Sequence, residues 1–333
     1  MIEPKNQSYL VIGLDVVPIA ISTKKAGYKA FSVDYFGDQD LRKVCQKSLS
    51  IIRQRRGESS GRISDNYDVN MFFQLVKNLL ETHEVDGVFL SSGVEDSPKF
   101  LSKLNRLVQI IGNTPEKIKK VRDKKYFFEE LSRLKIPYPE TRHVSNLKEA
   151  EEAAKEICFP VVVKPPESFG GIGIRKANDL RDLKKVLDEL NISNDAGFLI
   201  QKFVPGKAAS ASLISVPNKA VTFTVNEQFL GMNELGQMEP FGYCGNLVPL
   251  SAPETIINNC RRVAEKVVSK FGLIGLNGVD FIISNDGLPH VVEVNPRFQG
   301  THECVERVLR LNLVETHLNA CIHGILPKVH VEK

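Results

Sequence analysis

The 333-residue sequence has no excess of charge of either sign, no long apolar run, no paired cysteines and no closely spaced histidines. Its 44 Lys and Arg stand against 40 Asp and Glu, a net charge of +4. That is far from the strongly basic surfaces that hold nucleic acid, and it names no partner. No stretch approaches the roughly 18 to 20 apolar residues that span a bilayer, which excludes an integral helical membrane protein. An apolar content of 42% excludes a mainly disordered chain. The first apolar run, residues 9–12, stops too soon for a signal peptide, so a cytoplasmic protein is expected. The six cysteines form no Cys-x-x-Cys pair and suggest neither a zinc site nor a disulfide framework. They are expected to be reduced thiols. The seven histidines include no His-x-x-x-His spacing that would set two imidazoles on one helical face.

At about 150 residues per domain, the length favours two domains, one of them subdivided. Residues 9–112 alternate apolar runs (9–14, 29–33, 87–90) with a helical stretch at 69–82, a rhythm that predicts a small open parallel sheet with helices on its faces. Residues 53–65 are charged and rich in Gly and Ser, which reads as a solvated loop or an anion-binding segment. Thr114-Pro115 starts a helix, with Thr114 as N-cap and Pro115 at the first position, expected to run to about Lys135. The chain is therefore divided into residues 1–112, 113–206 and 207–333. The second part carries helices at 147–157 and 180–190 and strands at 160–164 and 198–203. The third has hairpin-like segments from Ser210, a helix over 253–271 and two strands, 278–283 and 290–294. Between those strands, Ser284-Asn285-Asp286-Gly287 is a turn whose Asn, Asp and Gly suit left-handed backbone.

Three constellations carry chemistry. Val161-Val162-Val163-Lys164-Pro165 is followed by Ser168-Phe169-Gly170-Gly171-Ile172-Gly173, a lysine closing a buried strand and then a loop whose glycines let backbone N–H groups approach a polyphosphate. A plain hairpin with a surface lysine has the same pattern. Because the lysine precedes the glycines and a strand should follow, this is neither a P-loop nor a Rossmann turn. Glu293 and Asn295, two apart on a strand, face one side, and hairpin pairing can set Asp280 beside them. Two carboxylates and an amide oxygen are hard ligands suited to Mg²⁺. The same alternation also describes the solvent face of an amphipathic strand. Arg297 follows, placed for a carboxylate or a phosphoryl oxygen. Third, Gln201-Lys202-Phe203-Val204-Pro205-Gly206 is a strand end or a hinge that lays backbone along an adenine edge.

In this order and spacing these segments, with Asp123-Lys124 ahead of them and Gly278-Val279-Asp280-Phe281 among them, resemble the ATP-grasp superfamily over roughly residues 113–325. The resemblance implies an N-terminal open parallel α/β sheet domain followed by a two-lobed α+β ATP-grasp module gripping ATP. It further implies that Lys124 and Lys164 contact the α- and β-phosphates and that the loop with Ser168, Gly170, Gly171 and Gly173 covers the β- and γ-phosphates. Gln201, Lys202, Phe203 and Val204 would border the adenine. Asp280, Glu293 and Asn295 would hold one or two Mg²⁺, with Mn²⁺ as a substitute, and Arg297 and Lys164 would serve catalysis. Ala208 stands where many members carry a ribose-binding glutamate.

The implied activity is an ADP-forming carbon–nitrogen ligase that activates a small-molecule carboxylate as an acyl phosphate and joins it to an amine. A kinase-like or carboxyphosphate-forming enzyme and a non-catalytic nucleotide-binding module are the alternatives. The expected partners are small-molecule substrates, with neither nucleic acid nor membrane, and a homodimer fits the same reading. Substrate contacts are sought at the carboxyl ends of the parallel strands, at Asp15 and Glu95, and in the aromatic, Gly-rich segment that contains Tyr243. His302 and Glu303 are expected to begin a helix. The sequence has no plausible Ser-His-Asp or Cys-His site, in keeping with chemistry that needs no side-chain nucleophile.

Overall fold

The computed structural model describes residues 5–55, 57, 67–165, 170–190 and 197–328. Strands β1 (Ser8–Gly13), β2 (Lys29–Asp34), β3 (Lys47–Ser50) and β4 (Gly87–Leu90) form a parallel sheet in the order β3-β2-β1-β4. Every residue of β1 is buried because helices cover both faces of the sheet. Tyr9 and Val11 pack with Ile19 and Ala20 of helix Val17–Lys25. Leu10 and Ile12 turn the other way, toward Phe72 and Val76 of helix Val69–Leu80 and Leu101 and Leu104 of helix Pro98–Leu107. The carboxyl ends of β1 and β4 lead into the loops that hold Asp15 and Glu95.

The helix expected over 115–135 is two helices, Pro115–Arg122 and Lys124–Arg133. Asp123 leaves helical geometry at ψ 100°, and its carboxylate accepts from the Tyr126 N–H at 3.0 Å. An aspartate that can cap a new helix competes well against continuing the old one. The break turns Lys124 toward the centre of the molecule. Beyond it, β5 (Thr141–Val144), β6 (Val161–Lys164), β7 (Arg175–Ala177) and β8 (Phe198–Lys202) make an antiparallel sheet in the order β5-β8-β6-β7. Its core gathers Val161, Val163 and Ile200 against Ala150 and Ala154 of helix Leu147–Ile157 and Leu183 of helix Leu180–Glu189.

A five-stranded antiparallel sheet contains β9 (Gly206–Val216), β10 (Lys219–Leu230), β11 (Tyr243–Leu247), β12 (Gly275–Ser284) and β13 (Pro289–Asn295), in the order β11-β10-β9-β12-β13. Helix Glu254–Lys270 lays Cys260, Ala264 and Val267 on the face formed by Ala209, Ala211 and Phe281, and Phe127 and Leu131 of the helix pair join the same core. On the opposite face Ile214, Phe223 and Leu276 share a core with Val11 and Phe89 of the parallel sheet and with Val305 and Leu318 of the last two helices, His302–Leu309 and Leu313–His323. In the β12–β13 turn only Gly287 takes left-handed backbone, at φ +81°. Asp286 contributes its carboxylate instead, accepting from the Ser284 hydroxyl and the Leu288 N–H. Among the described residues no helix is long and apolar enough to cross a membrane.

One buried histidine ties these layers together. His317 Nδ1 accepts from the Leu276 N–H at 2.9 Å, and Nε2 lies 2.9 Å from the Ile111 carbonyl oxygen, so the neutral Nε2–H tautomer satisfies both. Burial lowers its pKa to about 4, against 6.5 for the free side chain. The unfolded chain therefore takes up this proton at a higher pH than the folded one, and stability is lost as pH falls from about 6.5 toward 4. By pH 5 the loss from this group alone is about 2 kcal/mol. Urea unfolding of wild type and His317→Gln between pH 7.5 and 5 is expected to give a steeper acid loss in wild type. Parallel pH profiles would contradict the assignment.

Candidate active site

The hairpin β12–β13 sets Asp280 directly across from Glu293 and Gly278 across from Asn295. Asn295 Nδ2 donates to Asp280 Oδ2 at 2.9 Å, and Gln228 Nε2 of β10 reaches Asp280 Oδ1 at 3.1 Å. Asn295 is 8% exposed, so this strand face is not a solvent face. Glu293 is enclosed by cations: Arg122 Nη1 pairs with Oε1, and Lys124 Nζ lies 3.0 Å from Oε2. Arg122 also forks onto Asp96, with Nε 2.5 Å from Oδ1 and Nη2 2.8 Å from Oδ2. Arg297, just past β13, places Nε on Glu95, Nη1 on the Phe298 carbonyl at 2.8 Å and Nη2 3.4 Å from Asn295 Oδ1. The Phe298 N–H in turn donates to the Leu90 carbonyl at the end of β4. Adjacent carboxylates in the loop after β4, Glu95 and Asp96, thus hold two arginines that both touch β13.

The charges condition one another. Burial alone would raise the Glu293 carboxyl, but Arg122 and then Lys124 hold it well below the ordinary carboxylate range. Among the described residues Asp280 has no such cation in contact. Burial first and the Glu293 charge second raise it to about 6. Lys164 reaches the same region from the end of β6, its pKa lowered to about 8 by burial and by Lys124 while Glu293 and Asp280 pull upward. Among the described residues no three His, Cys, Asp or Glu side chains converge as a ready metal cluster. The donors present are two cross-strand carboxylates and an amide oxygen. Those are hard ligands, and negative charge crowded enough to raise Asp280 is what a divalent cation relieves, so the residues fit Mg²⁺.

The glycine segment after β6 does require glycine: Gly170, Gly171 and Gly173 have φ of +59°, +78° and +76°. β6 and β7 are antiparallel partners, so a strand and not a helix follows the glycines, as expected. Ser168 lies outside the described residues, as does most of 53–65. The loop rests on the β10–β11 connection, with the Tyr243 N–H donating to the Gly170 carbonyl at 2.9 Å. Tyr243 is partly exposed, and its phenol is raised to about 12 by burial and then by Asp280, with Asp15 adding to the same field. Asp15 is exposed at the end of β1, and its carbonyl accepts from Ser91 Oγ.

The hinge stands apart from this cluster. Gln201 is buried and donates to Thr141 Oγ1 at 2.8 Å, Lys202 Nζ lies 2.7 Å from the Cys158 carbonyl, and Lys176 sits 4.1 Å over the Phe203 ring. Because Val161 pairs with Lys202 and Lys164 with Leu199, hinge and lysine occupy opposite ends of β6, about 10 Å apart. Ala208 pairs with Ile282, and the nearby carboxylate of Glu227 is bonded to Lys207 at 2.9 Å. Sequence reasoning missed Arg122 and Gln228, and it gave Asp96 no role beyond its place in the loop after Leu90. Arg122 is adjacent to Asp123-Lys124 and Asp96 follows Glu95, but only spatial contact distinguishes them from surface charge.

The sequence profile of the ATP-grasp domain matches residues 121–301. An uncharacterized protein of Methanocaldococcus jannaschii is 29% identical over 316 residues, covering 94% of this chain and 74% of that protein. The C-terminal section of the carbamoyl phosphate synthase large chain of Aquifex aeolicus is 27% identical, covering 77% of this chain and 48% of that section, so the chain spans about half of it. Biotin carboxylase from Campylobacter jejuni, solved with a β,γ-ATP ligand, superposes with a TM-score of 0.77 at 18% identity, covering 97% of this chain and 72% of that one, a likeness of fold.

The Glu95–Arg297 pair is 5% and 14% exposed, so removing one partner strands a buried charge. Glu95→Gln is expected to cost about 3 kcal/mol in urea unfolding, and Arg297→Met a similar amount. The double variant should recover about 1 to 2 kcal/mol of the summed losses. Strict additivity would mean that the pair is not an energetic link between the sheets.

Proposed function

The chain belongs to the ATP-grasp family, and from that premise we propose that it is an ADP-forming ligase that activates a small-molecule carboxylate as an acyl phosphate and passes it to an amine. The observation that carries this reading is the convergence of Lys164, Lys124, Asp280, Glu293 and Arg297 at the carboxyl end of the parallel sheet. In this reading ATP lies along β6. Its adenine is at Gln201, Lys202, Phe203 and Val204, its phosphates are at Lys124 and Lys164, and Gly170, Gly171 and Gly173 lie above them. The 10 Å or so between hinge and lysine is a span that a nucleoside polyphosphate bridges. Asp280, Glu293 and Asn295 hold Mg²⁺, which supplies Lewis-acid neutralisation of phosphate charge when bound.

The reaction brings two anions together. A carboxylate oxygen attacks the γ-phosphorus, and the bond to the bridging oxygen breaks, leaving ADP with its electron pair. The amine nitrogen then attacks the acyl carbon, phosphate departs, and the nitrogen gives up a proton. Lys124, Lys164 and Arg297 offset the repulsion in the first step, and they are preorganised because the Glu293 and Glu95 carboxylates already hold two of them in place. Glu95, Asp15 and Tyr243 border the side from which the carboxylate and the amine arrive. Since carbamoyl phosphate synthase is among the relatives, formation of carboxyphosphate is the second reading.

Lys164→Ala and Glu293→Ala are each expected to lower ADP release about 10²-fold or more, the usual scale for one electrostatic stabiliser. The assay is a screen of carboxylic acids paired with amines, with mass spectrometry of the condensed product. Hydroxylamine in place of the amine should trap the acyl phosphate as a hydroxamate. ADP release without an organic hydroxamate would favour the carboxyphosphate or kinase-like reaction, and near wild-type turnover in both variants would remove the ligase reading.

A further inference from the structure

We infer that Glu239 is a positioning residue, the catch that fastens residues 170–175 of the glycine segment across the cleft. The inference rests on the nucleotide reading above and concerns a residue outside every motif in the sequence. Glu239 lies between β10 and β11, on the five-stranded sheet, whereas the loop belongs to the four-stranded antiparallel sheet. One carboxylate oxygen of Glu239 accepts from two loop donors, the Gly173 N–H at 3.1 Å and Arg175 Nη1 at 2.5 Å. The backbone docks as well. A Cβ on Gly171 would fall 1.9 Å from the Phe241 carbonyl oxygen, so only glycine permits the approach, and the Tyr243 N–H closes onto Gly170.

The receiving turn is itself tied by hydrogen bonds. The Gly242 N–H donates to the Glu239 carbonyl at 2.9 Å, the Gly231 N–H to the Gly242 carbonyl at 2.8 Å, and Gln237 Nε2 to the Tyr243 carbonyl at 3.2 Å. From that turn the Tyr243 phenol extends toward Gly300, three residues past Arg297, where a Cβ would lie 3.5 Å from it. The loop is thus joined through Glu239 to the turn that leads into Tyr243, whose hydroxyl accepts from Asn246 Nδ2. A loop held this way stays down over the phosphates and keeps water from the reacting centre.

The test uses the full chain. Glu239→Gln keeps an acceptor for the Gly173 N–H but removes the charge, Glu239→Ala removes both, and Arg175→Met breaks the pair from the other side. Hydrogen exchange in the nucleotide-free protein should accelerate at residues 170–175 by roughly tenfold in Glu239→Ala and less in Glu239→Gln, with β9 and β12 unchanged. Stopped-flow with a fluorescent ATP analogue and Mg²⁺ should show dissociation about tenfold faster and association little altered. Unchanged exchange, or acceleration spread over the whole protein, would overturn the catch. Slower dissociation would overturn it too, by making Glu239 a competitor of phosphate for the Gly173 N–H. Faster local exchange with no nucleotide bound even by wild type would instead remove the nucleotide reading, and the purpose of the catch with it.

Discussion

Glu95 and Asp96, adjacent in the loop after β4, each hold an arginine that also reaches the hairpin β12–β13: Arg297 beside Asn295, and Arg122 against Glu293. Asp96 is half exposed, but Glu95, Arg297 and Arg122 are largely buried. Taking such charges out of water is costly, and only close pairing with further hydrogen bonds makes their burial tolerable. The loop cannot shift away from the hairpin without stranding the Arg297 guanidinium. The apolar contacts behind it, where Phe89, Phe298 and His317 pack together, keep the carboxyl end of the parallel sheet and the end of β13 in one place. The carboxyl end of the parallel sheet and the hairpin β12–β13 thus belong to one framework.

That framework explains why a nearly neutral chain can hold a strongly polarised centre. The net charge of +4 averages over the surface, whereas inside the site cations and carboxylates alternate at contact distance. Glu293 is held anionic by Arg122 and Lys124, and its charge in turn raises Asp280. Burial, and then the Lys124 charge, disfavour the charged form of Lys164. Such a preset field needs no reorganisation when charge arrives. The glycine loop adds the complementary requirement, a backbone able to approach closely, and its docking on the β10–β11 connection joins the two antiparallel sheets over the same centre.

Much of this was legible in the sequence because it is local. The i, i+2 spacing of Glu293 and Asn295 sets them on one strand face, the short turn brings Asp280 opposite, and three glycines after a buried strand announce left-handed backbone. The apolar runs of β1, β4 and β6 and the Thr114-Pro115 helix start are equally local signals. Asp123 is the exception that shows how fine the local balance is. Helix periodicity carries through it, but its side chain caps a second helix, and that break aims Lys124 at Glu293.

Other features belong to the tertiary structure alone. Arg122 and Glu293 are 171 residues apart and Arg297 and Glu95 are 202 apart, so no pattern of neighbours distinguishes them from ordinary surface charge. The same holds for Glu239 against Arg175, and for His317 joining Leu276 to Ile111. The sequence by itself determined which residues could form strands, turns and a glycine segment with left-handed backbone, because propensity and periodicity act over a few residues. The stacking of three sheets decided which charges are buried and against whom, because desolvation and pairing depend on distances that exist only once the layers have packed.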